Sequence, residues 1–406
     1  MNLKSNKAIT LVALIITIII LLILAGVSLS MVLGENGLIN KAQSSVNKYK
    51  ESSENEQKLL NSIENYMDLQ LKLPGEKVEL PDGWNKDTVD AVLDDKKNVI
   101  PVPKNFYYVG GNLDNGVIIS DNSADAYDGK VDKTTWEYTT SLVGNQFVWI
   151  PCTEEEYSKP EFGISEIWNY FDLIQNEIDK IKKYNGFYVA RYEAGLDEDI
   201  TPYSKVSNSN SKFYNVEGVP QSKAGKDPWI FITYQQSRAN AIKWYSASDT
   251  VESTLITGRE WEVMLNKFIG TTNTNGIVFN KQDLEKSTRW GNYYDTNLQY
   301  SGRTAVLDSS KGIIEPITRN PIVGMTGRNK MIEYSTGASK IAESYHIYDI
   351  AGNLYEYTEE SSDKHSQRGS SCTFSTESGA GATERENGYY DIGEYRTGFR
   401  VVLYIK

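Results

Sequence analysis

The chain has 406 residues, 39% hydrophobic and 11% aromatic, which is enough for two or three domains with a packed core and excludes wholesale disorder. A formal net charge of -12 argues against non-specific binding to nucleic acid or anionic lipid, because phosphate contacts need clustered Lys and Arg. Two cysteines, Cys152 and Cys372, are too few for a disulfide framework or a metal knot, and leave either one long-range bridge or two unpaired, buried thiols.

The first element is an uncharged run from Ala8 to Gly34, "AITLVALIITIIILLILAGVSLSMVLG", long enough at about 1.5 Å per residue to cross a bilayer as one helix. Lys4 and Lys7 precede it, which leaves the N-terminus cytoplasmic and the rest of the chain outside. A removable secretory signal would carry a shorter apolar region of roughly 7–15 residues and a small-x-small cleavage site. The stretch "KAITLVALIITIIILLILAGV" resembles the leader and first helix of type IV pilins and pseudopilins. That resemblance implies a prepilin peptidase cutting between Ala8 and Ile9, and a helix that packs with other pilin-like subunits in a filament. Ala8 stands where the family usually has glycine, and Ala13 where it usually has glutamate. A plain single-pass anchor is the alternative.

Gly34 and Gly37 can loosen the helix as it leaves the membrane. Ile39, Ala42, Val46, Tyr49, Leu60, Ile63 and Met67 then recur at intervals of three and four, with Ser53 and Glu56 in the gap, which predicts a helix with one narrow apolar face to about Asp68. Such a stripe serves either an isolated coiled-coil stalk or a helix packed on its own head domain. Pro74-Gly75 ends the helix and Pro81-Asp82-Gly83 marks a turn. Between Val78 and Thr140, "NVIPVP", "FYYV" and "GVIIS" read as short strands of a β-rich connector. Within it "DNSADAYDG" lacks the glutamate that closes an EF-hand loop and reads as a solvated turn.

Phe147 to Ile150 and Gly186 to Gly195 read as buried strands, followed by a helix over roughly Gln235 to Ser246. A second helix opens on "TGRE", where Thr257 and Glu260 make a capping box ahead of the apolar face of Trp261, Met264, Leu265 and Phe268. In order and spacing, "FVWIP", "FYVARYE", "TGREWEVM", "RWGN", "IYDIAGNLYEYTEE", "RGSSC" and "GFRVV" resemble the formylglycine-generating (sulfatase-modifying) domain family, a variant of the C-type lectin fold. The resemblance covers roughly Gln146 to Lys406. It implies an α+β fold in which "FVWIP" pairs beside "GFRVV". The expected organisation is a leader at 1–8, a transmembrane and stalk helix at 9–70, a connector at 71–145 and a lectin-type domain at 146–406.

The generating enzymes carry a pair of closely spaced cysteines after the position of "RGSSC", which bind copper. Cys372 stands alone, and a lone thiol cannot supply a two-thiolate copper site and an exchange partner, so neither copper nor that activity is expected. His346 and His365 are the only histidines, too few for the cluster of the related iron enzymes. The family also wraps a structural calcium ion with the block matching "YDIAGNLYE", which implies Asp349, the carbonyls of Gly352 and Leu354, and Glu356 as ligands. Alternatively Asp349 caps a turn and Glu356 pairs with an arginine.

Ser370 to Thr397 combines small, adaptable Ser, Thr and Gly with flat aromatic rings and arginines, a composition of recognition loops and of ordinary loops alike. The candidate ligand contacts are Ser371, Cys372, Thr373, Phe374, Ser375, Thr376, Glu384, Arg385, Tyr389, Tyr390, Asp391, Tyr395 and Arg396. Variable proteins of diversity-generating retroelements are similar here, with hypervariable positions between "RGGSW"-like and "GFR"-like motifs. The expected role is a pilin-like surface protein whose non-catalytic head binds a protein or glycan on another cell or phage. A minor pilin with a purely structural head is one alternative, and a membrane-anchored formylglycine-generating-type enzyme with altered chemistry is the other.

Overall fold

The computed structural model describes residues 5–135, 141–159, 171–196, 218–296, 298, 304–308, 313–317, 331–361, 364–376, 381–387, 393 and 396–406. The chain divides into two units, one ending at Leu71 and one spanning Lys72–Lys406. The first consists of helix α1 (Ser5–Leu33), which holds Ala8 and Ile9 near its start, and helix α2 (Leu38–Leu71). α1 is long and apolar enough to cross a membrane. The two are separated at Gly34–Gly37, where the sequence places its pair of glycines. Ile39, Val46, Tyr49, Leu60, Ile63 and Met67 of the α2 stripe are all exposed.

Among the described residues the second unit mixes helices with five sheets. A three-stranded sheet in the order β1-β2-β3 is built from Lys77–Val78 (β1), Val89–Leu93 (β2) and Val99–Pro103 (β3). The central sheet is antiparallel and has the order β4-β5-β6-β7-β18-β8. Its strands are Tyr107–Asn112 (β4), Gly116–Ser120 (β5), Gln146–Pro151 (β6), Gly186–Ala190 (β7), Val251–Leu255 (β8) and Val401–Ile405 (β18). Thr304–Asp308 (β9), Ile313–Ile317 (β10) and Met331–Tyr334 (β11) form a third sheet around β9, and Glu343–Ser344 (β12) pairs with Ile347–Tyr348 (β13). Tyr355–Ser361 (β14), Lys364–Arg368 (β15), Arg385–Asn387 (β16) and Thr397–Phe399 (β17) make the last sheet, in the order β16-β15-β14-β17, with β14 and β17 parallel.

Helices cover both faces of the central sheet. They are α3 (Glu154–Ser158), α4 (Phe171–Tyr184), α5 (Tyr234–Trp244) and α6 (Gly258–Phe268), with α7 (Lys281–Lys286) beyond them. Alternate residues of β6 enter different cores, as the two-residue period of a strand demands. Phe147 and Trp149 join Tyr188, Tyr234 and Ala241 of the α5 side. Val148 and Ile150 join Ile178, Ile181, Trp261, Met264 and Phe268 of the α4 and α6 side. The capping box is formed as the sequence predicts: the Glu260 N–H donates to Thr257 Oγ1 at 3.2 Å and the Thr257 N–H donates to Glu260 Oε2 at 2.8 Å.

Several expectations change. "FVWIP" and "GFRVV" are not neighbours: β7 lies between β6 and β18, while Thr397–Phe399 leaves the central sheet to pair with β14. Part of the stretch expected as a connector belongs to the same sheet, since β5 pairs directly with β6. "DNSADAYDG" is a solvated turn only in part: Ser123, Ala124, Asp128 and Gly129 are exposed, but one carboxylate is not. Asp125 is buried and its carboxylate accepts from the Val143 and Gly144 N–H groups and from Ser120 Oγ at 2.6–2.9 Å, which ties the turn to the entry of β6. The first helix runs from Tyr234 to Trp244, capped by Thr233. α4, with Ile174, Ile178 and Ile181 at helical spacing, had no counterpart in the sequence reading.

Where α4 and α6 meet the sheet, the Glu177 and Glu260 carboxyls are buried with no cation bonded to either among the described residues. The Tyr157 hydroxyl donates to Glu177 and the Tyr404 hydroxyl donates to Glu260. Burial pushes Glu177 up to about 8, with the nearby Glu260 adding to it, and burial pushes Glu260 up to about 7. Each binds its proton more tightly folded than unfolded, so its contribution to stability is complete below the ordinary carboxylate range and is lost as pH rises through about 7–8. The melting temperature is expected to fall between about pH 5 and about pH 8.5, and Glu177→Gln is expected to flatten that fall. Thermal melts across the range check it, and stability rising with pH would contradict it.

Candidate functional site

The site is assembled where β15 runs into the loop that precedes β16. Gly369 and Ser370 take left-handed conformations, with φ of 82° and 63°. A Cβ on Gly369 would lie 2.5 Å from the Ile350 carbonyl oxygen and 3.2 Å from the Trp261 ring, so glycine is required there. The turn drives Ser371 and Cys372 inward, where both are buried. These two candidates therefore hold the loop rather than face a ligand: the Cys372 N–H donates to the Asn353 carbonyl at 3.0 Å, and Ser371 Oγ lies 2.7 Å from Thr373 Oγ1. Burial, with Glu333 and Glu193 nearby, pushes the Cys372 thiol well above its ordinary range. Cys152 is also buried, pushed up to about 12, and both thiols are free.

Beyond Cys372 the side chains turn half-outward. Thr373, Phe374, Ser375 and Thr376 are partly exposed, and their backbone is pinned from outside the loop. The Tyr294 N–H donates to the Phe374 carbonyl at 3.1 Å, and the Thr376 N–H and hydroxyl both donate to the Asp295 carboxylate at 2.8–3.0 Å. The returning limb is fixed to α6 and α7. The Ala382 N–H donates to Ser287 Oγ and Trp261 Nε1 donates to the Ala382 carbonyl, each at 2.9 Å, and a Cβ on Gly381 would sit 2.2 Å from the Glu285 carbonyl oxygen.

The charged candidates divide in the same way. Arg385 points back into the sheet, where Nε donates to Ser366 Oγ at 3.3 Å and Nη2 meets Glu360 at 3.4 Å. Glu360 also lies 3.5 Å from Arg368, and Arg368 is bonded to Glu262 at 2.7 Å, so a line of ion pairs runs from the core to the edge of the face. Arg396 is partly exposed, with its guanidinium 5.8 Å from the Tyr355 ring centre and 6.0 Å from that of Phe374. The two rings meet edge to face at 5.6 Å. The guanidinium thus lies within cation–π reach of both rings. Burial, with Glu386 beside it, raises the Glu384 carboxyl above its ordinary value. Tyr389, Tyr390, Asp391 and Tyr395 lie outside the described residues. Tyr294, Asp295 and Tyr355 were missed by the sequence reading, because they come from other segments and meet the loop only through the fold.

Under the face lies Arg400, the residue at which the chain crosses from β17 to β18. It donates Nε and Nη2 to the Glu356 carboxylate at 2.5–3.2 Å, Nη1 to the Ala190 carbonyl at 3.0 Å and Nη2 to the Tyr348 carbonyl at 2.9 Å. Burial pushes the Glu356 carboxyl up, and Arg400 pulls it part of the way back. Asp349, at φ 62°, accepts the Gly337 N–H at 2.7 Å, and its carboxyl is pushed up to about 7 by burial. Gly352 is held against Asn292, whose carbonyl oxygen would be 2.1 Å from an added Cβ, and Leu354 is buried. This donor set does not fit calcium. Both Glu356 oxygens are taken by the Arg400 guanidinium, whose charge repels a second cation, which is the arginine pairing offered as the alternative to a calcium ligand.

No protein-family model matches the chain, and no curated protein does. Among solved structures, a similar one is Treponema denticola variable protein 1, at 12% identity over 81% of this chain and 92% of that one, with a TM-score of 0.20. A score that low assigns no fold.

Two outcomes follow from the geometry around Arg400. Glu356→Gln leaves a buried guanidinium without its counter-charge and is expected to cost about 3–5 kcal/mol in urea unfolding. A cost under about 1 kcal/mol would contradict the role given to the pair. Melting is expected to be the same in calcium and in chelator, and a calcium-dependent rise that Glu356→Gln abolishes would restore the metal site.

Proposed function

We infer that the chain is a membrane-anchored, pilin-like surface protein whose C-terminal unit displays a non-catalytic ligand-binding face, of the kind found in retroelement-diversified variable proteins. One observation carries this reading. The backbone of the loop from Thr373 to Thr376 is held at Phe374 by the Tyr294 N–H and at Thr376 by the Asp295 carboxylate, which the Thr376 hydroxyl also meets, while its side chains are half exposed. A backbone fixed in that way keeps its course when its side chains are exchanged, which is what a recognition loop on a rigid scaffold requires. Arg396 against Tyr355 and Phe374 supplies the rigid aromatic and cationic contact that dominates many interfaces.

The chemistry at Cys372 favours binding over catalysis, since a thiolate nucleophile needs a lowered pKa and access, and this thiol is buried with its pKa raised. The apolar α1 favours anchorage, with the C-terminal unit displayed outside the cell.

The test is a protein and glycan array probed with the detergent-solubilised full chain. Saturable binding is expected, and Phe374→Ala with Arg396→Ala is expected to weaken it at least about tenfold, as loss of a central anchor does. Binding unchanged in that variant would move the site elsewhere. Absence of any saturable ligand, with pull-down of other pilin-like subunits, would favour a structural role in a filament. In DNA, the reading expects a nearby imperfect repeat of the segment encoding Ser370 to Arg400 that differs almost only at adenines.

A further inference from the structure

The junction after α1 and the first turns of α2 carry a pattern that ligand display does not use. Ala8 to Gly34 is 27 uncharged residues, about 40 Å of helix against about 40–45 Å for a bilayer with its headgroups. Gly34–Gly37 therefore falls at headgroup level. The link there is tight. The Gly37 N–H donates to the Gly34 carbonyl at 2.7 Å, and Asn40 Nδ2 donates to the same carbonyl at 2.9 Å. A Cβ on Gly34 would lie 2.3 Å from the Ser30 carbonyl oxygen, and one on Gly37 would lie 2.6 Å from that of Val32.

Immediately past this break, Leu38, Ile39, Ala42, Val46 and Tyr49 are exposed and fall within an arc of about 100° at 3.6 residues per turn. Lys41 and Lys48 border one side of that arc and Lys50 the other, while Asn40, Gln43, Ser44 and Asn47 occupy the back. No acidic residue occurs from Asn36 to Lys50. The pattern then stops. Glu51 to Lys58 contains no apolar residue, and from Glu51 to Asp68 five acids face a single lysine, Lys58. The basic, apolar patch is thus chemically separate from the rest of α2.

We propose that Leu38–Lys50 is an interfacial helix: its apolar arc rests in the surface of the membrane that α1 crosses, and Lys41, Lys48 and Lys50 contact anionic lipid headgroups. An apolar stripe bordered by lysines is the form in which long cationic stems cover apolar surface while their charges reach the headgroups. The glycine link lets α2 leave the axis of α1, and the acidic remainder of α2 is repelled from an anionic surface, which confines contact to the first turns. The inference rests on the membrane-anchored reading above. A second copy of α2 is the competing occupant of the same patch, but in-register parallel copies would set Lys41, Lys48 and Lys50 against one another.

The test uses the full chain reconstituted in vesicles of phosphatidylcholine alone or with phosphatidylglycerol. An environment-sensitive dye is placed at Val46→Cys or, on the back of the helix, at Ser44→Cys. The native Cys152 and Cys372 are buried and do not compete for labelling of the folded protein. In the anionic vesicles the dye at 46 is expected to be quenched by shallow spin-labelled lipid and shielded from acrylamide several-fold better than the dye at 44. Raised salt, or Lys41→Gln with Lys48→Gln and Lys50→Gln, is expected to remove most of that difference. Equal acrylamide access at 46 and 44 in both vesicles would overturn the inference in favour of a free stalk. Shielding that ignores lipid charge and disappears on dilution of the protein in the bilayer would overturn it in favour of a second copy. Failure of the chain to float with either vesicle would instead contradict the anchored reading itself.

Discussion

Arg400 is the joint on which the C-terminal unit depends. It sits where the chain passes from β17, in the four-stranded sheet, to β18, in the six-stranded one. Its guanidinium reaches β7 through Ala190, β13 through Tyr348 and β14 through Glu356, and the Ile256 N–H donates to its carbonyl at 3.1 Å. A buried guanidinium is tolerated only when its charge is matched and its donors are satisfied, and here one carboxylate and two backbone carbonyls do both. The two sheets are therefore fixed relative to each other by a group with little freedom to be replaced. Arg368, on the neighbouring strand β15, forms a second buried ion pair with Glu262.

With the sheets joined, the loop between β15 and β16 inherits a rigid base. Its inward half, Gly369 to Cys372, packs under the face, and its outward half presents half-exposed side chains, of which Thr373 bonds Ser371 and Thr376 bonds Asp295. The same logic accounts for the separation of roles among the arginines. Arg368 and Arg400 are internal and bonded to carboxylates, Arg385 is bonded inward at the edge, and Arg396 lies over two rings at the surface. Under the proposed binding role, stability and recognition are carried by different residues of one short stretch. The pH sensitivity set by Glu177 and Glu260 belongs to the side where α4 and α6 pack on the central sheet, and α6 is also the helix that anchors the loop through Trp261.

What was legible in the sequence was local. The Thr257–Glu260 capping box, the strand at Phe147–Ile150 and the break at Gly34–Gly37 rest on patterns within a few residues, and the structure contains them; the strand read over Gly186–Gly195 is Gly186–Ala190, and the helix read over roughly Gln235–Ser246 is Tyr234–Trp244. Strand order was not legible, because β7 enters between β6 and β18 through pairings that span most of the unit. Burial of Ser371 and Cys372 was hidden for a related reason. Small polar residues look like surface loop until the fold shows where their backbone groups bond. Glu356 matched a calcium ligand by its neighbours in sequence, yet its partner lies 44 residues away in Arg400. Asp125 likewise looked solvated because the N–H groups it accepts belong to Val143 and Gly144.

The central claim is that the scaffold is indifferent to the side chains it displays. Its most direct measurement is the thermal stability of a library in which Thr373, Phe374, Ser375, Thr376 and Glu384 are randomised together in the full chain. The account predicts that most members melt within about 5 °C of the parent, as surface changes away from buried pairs do. A library in which most members fail to fold would show that the face is part of the core, and would contradict it.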